Sequence, residues 1–263
     1  MSDLGAVQQF LGIQVVRNRP TRSIHLNQTP YIEAILKRFQ MEGCNGVATP
    51  MDPNMHMTAA ADNYTASKAD QLLYQQLIGS IMYAMLGTRP DLGYTVSTLS
   101  KYNANPTPEH STAAKRVLRY LRRTANTGIT FEGQRNPAID SQTDLVGFTD
   151  SDWAGDLDTH KSTSGFVFLL HSGAVSWKST KQGIVATSST EAEYVACSEA
   201  VKEALWIQRL YRELQTAKAV QIQSGPQVIF ADNQGAIELS KNPQHHNRTK
   251  HIDVKYHFIH DCV

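Results

Sequence analysis

Cysteine is scarce. Only Cys44, Cys197 and Cys262 occur in 263 residues, an odd number set far apart. That spacing excludes a disulfide framework and a zinc cluster of neighbouring thiolates, and it fits a reducing compartment. No run of about 18 apolar residues occurs, so no membrane span is expected. The opening MSDLGAVQQFLGIQVVRNRP has neither a basic start nor a clean apolar stretch and does not read as a signal peptide. Charge of one sign is not in excess: 25 Lys+Arg stand against 24 Asp+Glu, so net charge points to no class of partner. No internal repeat and no Tyr-x-Asp-Asp string are present. What remains is a chain with 41% hydrophobic residues, enough for one large domain or two medium ones.

The two halves differ in pattern. In the first, QQFLGIQVVRN and TRSIHLNQ read as short strands around an Asn/Pro turn, and TPYIEAILKRFQMEG as a helix closed by Gly43. ATPMDPNMHMTAAADN reads as a linker. Three helices follow, in DQLLYQQLIGSIMYAML, RPDLGYTVSTLSKYN and TPEHSTAAKRVLRYLRRTANTG, and then an edge segment, GITFEG. This defines a mostly helical region over 1–140. Over 141–263, LVGFTDSD reads as a strand. STSGFVFLLHSG and AVSWKSTK read as a hairpin turning at Ser172 and Gly173, and a long helix covers roughly 189–215 with capping-box spacing from Ser188 to Glu191. QVIFAD is a strand, NQGAIELSKN a helix, and KHIDVKYHFIHDCV a further helix. Three strands, a helix, a strand and two helices predict an α/β mixed sheet with flanking helices.

Three carboxylates stand out in this second half. Asp150 and Asp232 each end an apolar run, and Glu193 lies in the first turn of the long helix, on a face with Ala196, Cys197, Ala200, Val201, Ala204 and Ile207. A carboxylate on an apolar face is costly to bury without a partner, and a divalent metal supplies one. Hard oxygen ligands suit Mg²⁺ or Mn²⁺, and paired ions of this kind cut phosphodiesters by activating water and stabilising the leaving oxygen. The competing reading makes Asp150 and Asp232 turn residues and Glu193 a partner of the helix dipole. Glu191 reads as a capping or surface residue and Asp152 as a loop carboxylate or an outer support of the ligands. Asp156 and Asp158 read as solvated, and Trp153, Trp177 and Trp206 as core or edge packing.

FTDSDWAGD, KSTSGFVFLL, VSWKSTKQ, SSTEAEYVACSEA, IFADNQGAIELSKNP and RTKHIDVKYHF resemble the ribonuclease H domain of Ty1/copia-type retrotransposon Pol polyproteins. QQFLGIQV, QLIGSIMYAMLGTRPDLGYTVSTLSKY and AAKRVLRYLRRT resemble the region just upstream, the end of the reverse transcriptase palm, its thumb and its connection. The resemblance implies a thumb/connection-like region over 1–140 and a ribonuclease H-like domain over 141–263 that degrades the RNA strand of an RNA–DNA hybrid with Mg²⁺ or Mn²⁺. Asp150, Glu193 and Asp232 match the family's metal-binding carboxylates. A fourth carboxylate of the family belongs to a later strand and helix, past Val263. Asp253, on the preceding helix, is a poor substitute. The resemblance also implies the rest of the polyprotein or a second copy as partners. The location it implies is cytoplasmic, in a virus-like particle or nuclear.

Two further sets bear on function. Ribonucleases H use a mobile-loop histidine to help release product, and His246, in NPQHHNRTKHID beside His245 and His251, is the candidate; a polar loop and cap is the plainer reading. His257 and His260, with Asp253 and Asp261, read as solvated helix residues. Lys115, Arg119, Arg122 and Arg123 share much of one helix face, suited to backbone phosphates of a hybrid or simply solvated. Lys161, Lys178 and Lys181 could add contacts near the second domain. The alternative overall reading is a non-catalytic nucleic-acid-binding or structural module derived from such a polyprotein.

Overall fold

A computed structural model describes residues 5–52, 55, 57–133, 145–217, 227–241, 258–259 and 262. The chain divides into two compact units, Met1–Gly133 and Gln134–Val263. The expected boundary at 140 falls in 134–144, outside the described residues.

In the first unit β1 (Gln9–Phe10), β2 (Ile13–Asn18), β3 (Ser23–Asn27) and β4 (Gly128–Phe131) form an antiparallel sheet in that order. Helices α1 (Thr29–Arg38), α2 (Lys68–Gly87), α3 (Gly93–Ser100) and α4 (Pro108–Arg123) bury Ile32, Ile81, Leu92, Leu99, Val117 and Leu121 in one core. The end of α1 departs from expectation. Gly43 does not close it. Gln40 takes the left-handed conformation, with φ 56, while Met41 N–H bonds the Leu36 carbonyl at 2.8 Å and Gln40 N–H that of Lys37 at 3.0 Å. That pairing is a Schellman closure with glutamine in the place glycine usually takes. The expected linker is also not a free one. Val47 N–H bonds the Arg119 carbonyl, Tyr102 Oη donates to Met57 O, His110 Nε2 meets Thr58 O, and Asn105 Nδ2 donates to Tyr64 O. Backbone groups in and beside a proline-broken stretch without periodicity are thus satisfied by α4 and by the turn between α3 and α4.

In the second unit β5 (Leu145–Asp152) lies between β6 (Thr163–Leu170), antiparallel, and β8 (Val228–Phe230), parallel; β7 (Gly173–Lys181) adds to the far edge of β6. Helix α5 (Ser189–Thr216) packs on β5 and β6 and buries Ala200, Ala204 and Ile207 against Leu145 and Phe168. Helix α6 (Gln234–Lys241) adds Ala236 beside Tyr194 and Val195. This is a ribonuclease H-like α/β sheet with flanking helices. The β6–β7 turn sits one residue earlier than expected: its loop residues are His171 (φ 46) and Ser172 (φ 68), and Gly173 already pairs with Leu170. Two positive φ values in a two-residue loop match the twist of the flanking strands. Gly147 is required by its neighbour, because a Cβ there would lie 2.5 Å from the Phe168 ring directly across the ladder. The residues of the expected helix from 250 onwards lie almost wholly outside those described.

Candidate metal centre

The register of β5 and β8 sets the site. Their last paired residues are Phe148 and Phe230, so Asp150 and Asp232 each lie two positions beyond the same rung at the carboxyl ends of adjacent parallel strands. Neighbouring strands run about 4.8 Å apart, which places the two carboxylates side by side. Glu193 enters from α5. It is the fifth residue of that helix, in the second turn and not the first. One carboxylate oxygen from each of Asp150, Glu193 and Asp232 lies within 4.8 Å of the other two. Asp150 and Asp232 are exposed and Glu193 is buried.

Other groups do the capping, which leaves these carboxylates unspent. Ser188 Oγ accepts the Glu191 N–H at 3.2 Å at the start of α5, and Asn233 Oδ1 accepts the Ala236 N–H at 3.0 Å at the start of α6. Glu191 is a capping residue but not a surface one. It is 6% exposed, and its Oε2 accepts from both the N–H and the hydroxyl of Thr187 at 2.7 Å. Gln182, which no sequence pattern singles out, ties the sheet to α5 beside the site. Its Nε2 donates to Ser164 Oγ and to the Ala192 carbonyl, each at 2.9 Å.

The Ser151 N–H donates to Asp150 Oδ1 at 2.8 Å and to Glu193 Oε1 at 3.2 Å, so one donor serves two carboxylates. Glu193 Oε2 is buried with no hydrogen bond of acceptable geometry among the described residues. Burial pushes the Glu193 carboxyl up to about 7, and the charges of Asp150 and Asp232 add to this against the opposing pull of Ser151. Burial, helped by the Glu193 charge, also lifts the Cys197 thiol one turn further on, to about 11, so this cysteine stays protonated and is a poor nucleophile. A buried acceptor without a donor, beside two more carboxylates, fits a divalent cation: the ion would satisfy the oxygen and relieve the repulsion. The cluster can therefore coordinate a divalent metal.

The remaining residues named from sequence fall elsewhere. Asp152 ends β5 and accepts from the Thr163 N–H. Asp156 is not solvated: at 6% exposure it accepts from Thr159 N–H at 3.0 Å and Thr159 Oγ1 at 2.6 Å and pairs with Lys181 at 3.5 Å. Trp153 and Trp206 are not core residues but 55% and 58% exposed. Lys161 Nζ donates to the Gly183 carbonyl at 2.8 Å, and Lys178 lies 4.0 Å from Glu199. On α4 of the first unit Lys115, Arg122 and Arg123 are exposed, while Arg119 is half-buried with its Nε donating to the Asn45 carbonyl at 2.8 Å. His245, His246, His251, Asp253, His257, His260 and Asp261 lie outside the described residues. Among the described residues no helix is long and apolar enough to cross a membrane.

The whole chain aligns at 41% identity with the Retrovirus-related Pol polyprotein from transposon TNT 1-94 of Nicotiana tabacum. At 29% identity, 64% of it aligns with the Transposon Ty1-LR3 Gag-Pol polyprotein of Saccharomyces cerevisiae. The chain is a homologue of Ty1/copia-type retrotransposon Pol polyproteins. It matches the ribonuclease H-like part of Pol and spans 19% of the tobacco polyprotein and 9% of the yeast one. A much shorter relative of this Pol segment is the Uncharacterized mitochondrial protein AtMg00810 of Arabidopsis thaliana, 34% identical over 78% of the chain and 80% of that protein. No family model matches, and no solved structure matches.

Proposed function

We propose that the second unit hydrolyses the RNA strand of RNA–DNA hybrids with divalent cations, Mg²⁺ or Mn²⁺, held by Asp150, Glu193 and Asp232. One observation carries this reading: three carboxylate oxygens gathered within 4.8 Å at two strand ends and a helix, one residue of the three buried. The donors are all oxygen, the set that Mg²⁺ and Mn²⁺ prefer, and among the described residues no imidazole or thiolate joins them to favour zinc. When bound, the cations supply Lewis-acid stabilisation of the phosphate and a water acidic enough to attack near neutral pH. Ser151 N–H holds Asp150 and Glu193 in one orientation, which keeps the ligand oxygens in place without motion at the moment of reaction. Attack in line leaves a 3′-hydroxyl and a 5′-phosphate, and no protein nucleophile is needed.

Lys115, Arg119, Arg122 and Arg123 are the candidate contacts to hybrid phosphates. A duplex of this kind is recognised by backbone and shape, because its base edges are poorly accessible. His246 is the candidate for assisting product release. The partners of this reading are the hybrid, the remainder of a Pol polyprotein and a second copy of the chain. Its setting is cytoplasmic, in a virus-like particle or nuclear.

The test is cleavage of a hybrid with a labelled RNA strand in Mg²⁺ and in Mn²⁺, with Asp150→Asn and Glu193→Gln run alongside. Cutting that both substitutions abolish, absent on single-stranded RNA and duplex DNA, supports the reading. No cutting, with the hybrid still bound, refutes it in favour of a non-catalytic nucleic-acid-binding module.

A further inference from the structure

Trp153 follows the last residue of β5 and lies three positions beyond Asp150. The residue is 55% exposed. Single exposed apolar side chains are ordinary and alone mean little. This ring, however, is held. The indole N–H donates to the Ala186 carbonyl at 3.2 Å, two residues before the Ser188 cap of α5. Other bonds join the same two stretches of chain: Gln182 N–H to the Ser162 carbonyl at 2.8 Å and Lys161 Nζ to the Gly183 carbonyl at 2.8 Å. Within the first stretch, Ala154 N–H donates to Ser162 Oγ at 3.1 Å and Asp156 N–H to the Lys161 carbonyl at 3.2 Å, with the chain turned at Ala154 by a φ of 54. Residues 153–162 and 181–187 therefore make one fixed ledge. It bridges the two elements that supply Asp150 and Glu193. Val185, 52% exposed, extends its apolar surface next to the Trp153 anchor, and Lys161 places a cation on it.

We propose that Trp153 is a substrate contact: the apolar face of a nucleotide in the hybrid rests on the indole while the scissile phosphate lies at the carboxylates. This rests on the nuclease reading and deepens it. The reach is suitable. Three extended residues span about 10 Å, and a nucleic-acid strand rises about 3.4 Å per nucleotide, so the ring meets a nucleotide within about three of the cut. An indole tied at its nitrogen has little freedom left to lose on binding, while its face stays available. Every base or sugar offers such a face, so the contact adds affinity without sequence preference.

The test is steady-state cleavage of a hybrid by wild type, Trp153→Ala, Trp153→Phe and Trp206→Ala. Trp153→Ala should raise KM on the order of tenfold, the loss of one aromatic contact, with kcat little changed. Trp153→Phe, which keeps a ring but loses the N–H, should recover most of the affinity, and Trp206→Ala should match wild type. Should Trp153→Ala not fold, the Trp177→Phe/Trp206→Phe protein reports the same contact, because its remaining indole emission must change on hybrid addition in EDTA. Wild-type cleavage with KM of Trp153→Ala within twofold, or unchanged emission, overturns the contact and leaves the nuclease reading standing. A wild-type chain that cuts no hybrid removes both.

Discussion

Glu193→Gln should make the metal-free protein more stable at pH 8 while abolishing metal-dependent activity. Glutamine keeps an acceptor for the Ser151 N–H and removes one of three crowded charges. The Glu193 carboxyl is raised from an ordinary 4.5 to about 7, so the folded state holds this proton more firmly than the unfolded chain. Stability from this group is then full below about pH 4.5, falls as pH rises towards 7, and stays at its reduced level above that. A tenfold change in proton affinity is worth about 1.4 kcal/mol, which puts the upper limit near ~3 kcal/mol. Water and salt reach the cluster through exposed Asp150 and Asp232, so about 1–2 kcal/mol is expected to survive. For a domain of this size that is a melting-temperature rise of about 3–8 °C. Thermal melts of the whole chain in EDTA, followed by circular dichroism at pH 5 and pH 8, measure it. The gain should appear at pH 8, shrink at pH 5, and be offset on adding Mg²⁺, which stabilises wild type more than the variant. A variant no more stable than wild type at pH 8, or equally stabilised at both pH values, would refute the electrostatic account of the cluster.

Three other substitutions test the scaffold. Gly147→Ala drives a Cβ to 2.5 Å from the Phe168 ring and should lower stability by about 1–3 kcal/mol, read from the urea midpoint. An unchanged midpoint would mean that the strand pair gives way freely. Arg89→Met removes a fully buried guanidinium that binds Asp91 at 2.7 Å and caps α4 through the Thr124 carbonyl at 2.9 Å; a loss of about 2–4 kcal/mol is expected in chemical denaturation. Glu191→Ala strips two hydrogen bonds from Thr187 and should cost about 1–2 kcal/mol at pH 7, with hydrogen exchange faster in the first turn of α5 than in its last.

The carboxylate site was legible because each of its members contradicts its local pattern. Asp150 and Asp232 close apolar runs, and Glu193 interrupts an apolar helix face, so the order of elements brings them to one edge. The rigid surroundings were not legible, for a physical reason. Asp156, Gln182, Glu191 and Arg89 are polar residues in polar-looking stretches, and nothing local says that they are buried. Their partners lie across turns or on other elements, as Gln182 meets Ala192 and Arg89 meets Thr124. Trp153 fails in the opposite sense: hydrophobicity predicts burial, but one hydrogen bond to Ala186 fixes the ring at the surface. The stretch near residue 50 misled in the same way, since proline and lack of periodicity describe an irregular backbone as well as a free one.

The shared rung beneath Asp150 and Asp232 has a consequence for how the unit assembles. β8 is only three residues long and, among the described residues, pairs with β5 alone. Few ladder bonds hold it, yet a shift of one residue along β5 would turn Asp232 to the other face of the sheet. An ion that demands both carboxylates at once binds one alignment and not its neighbours. A metal held by both carboxylates would then act as a gauge of strand registry, its affinity reporting how faithfully this short strand has docked.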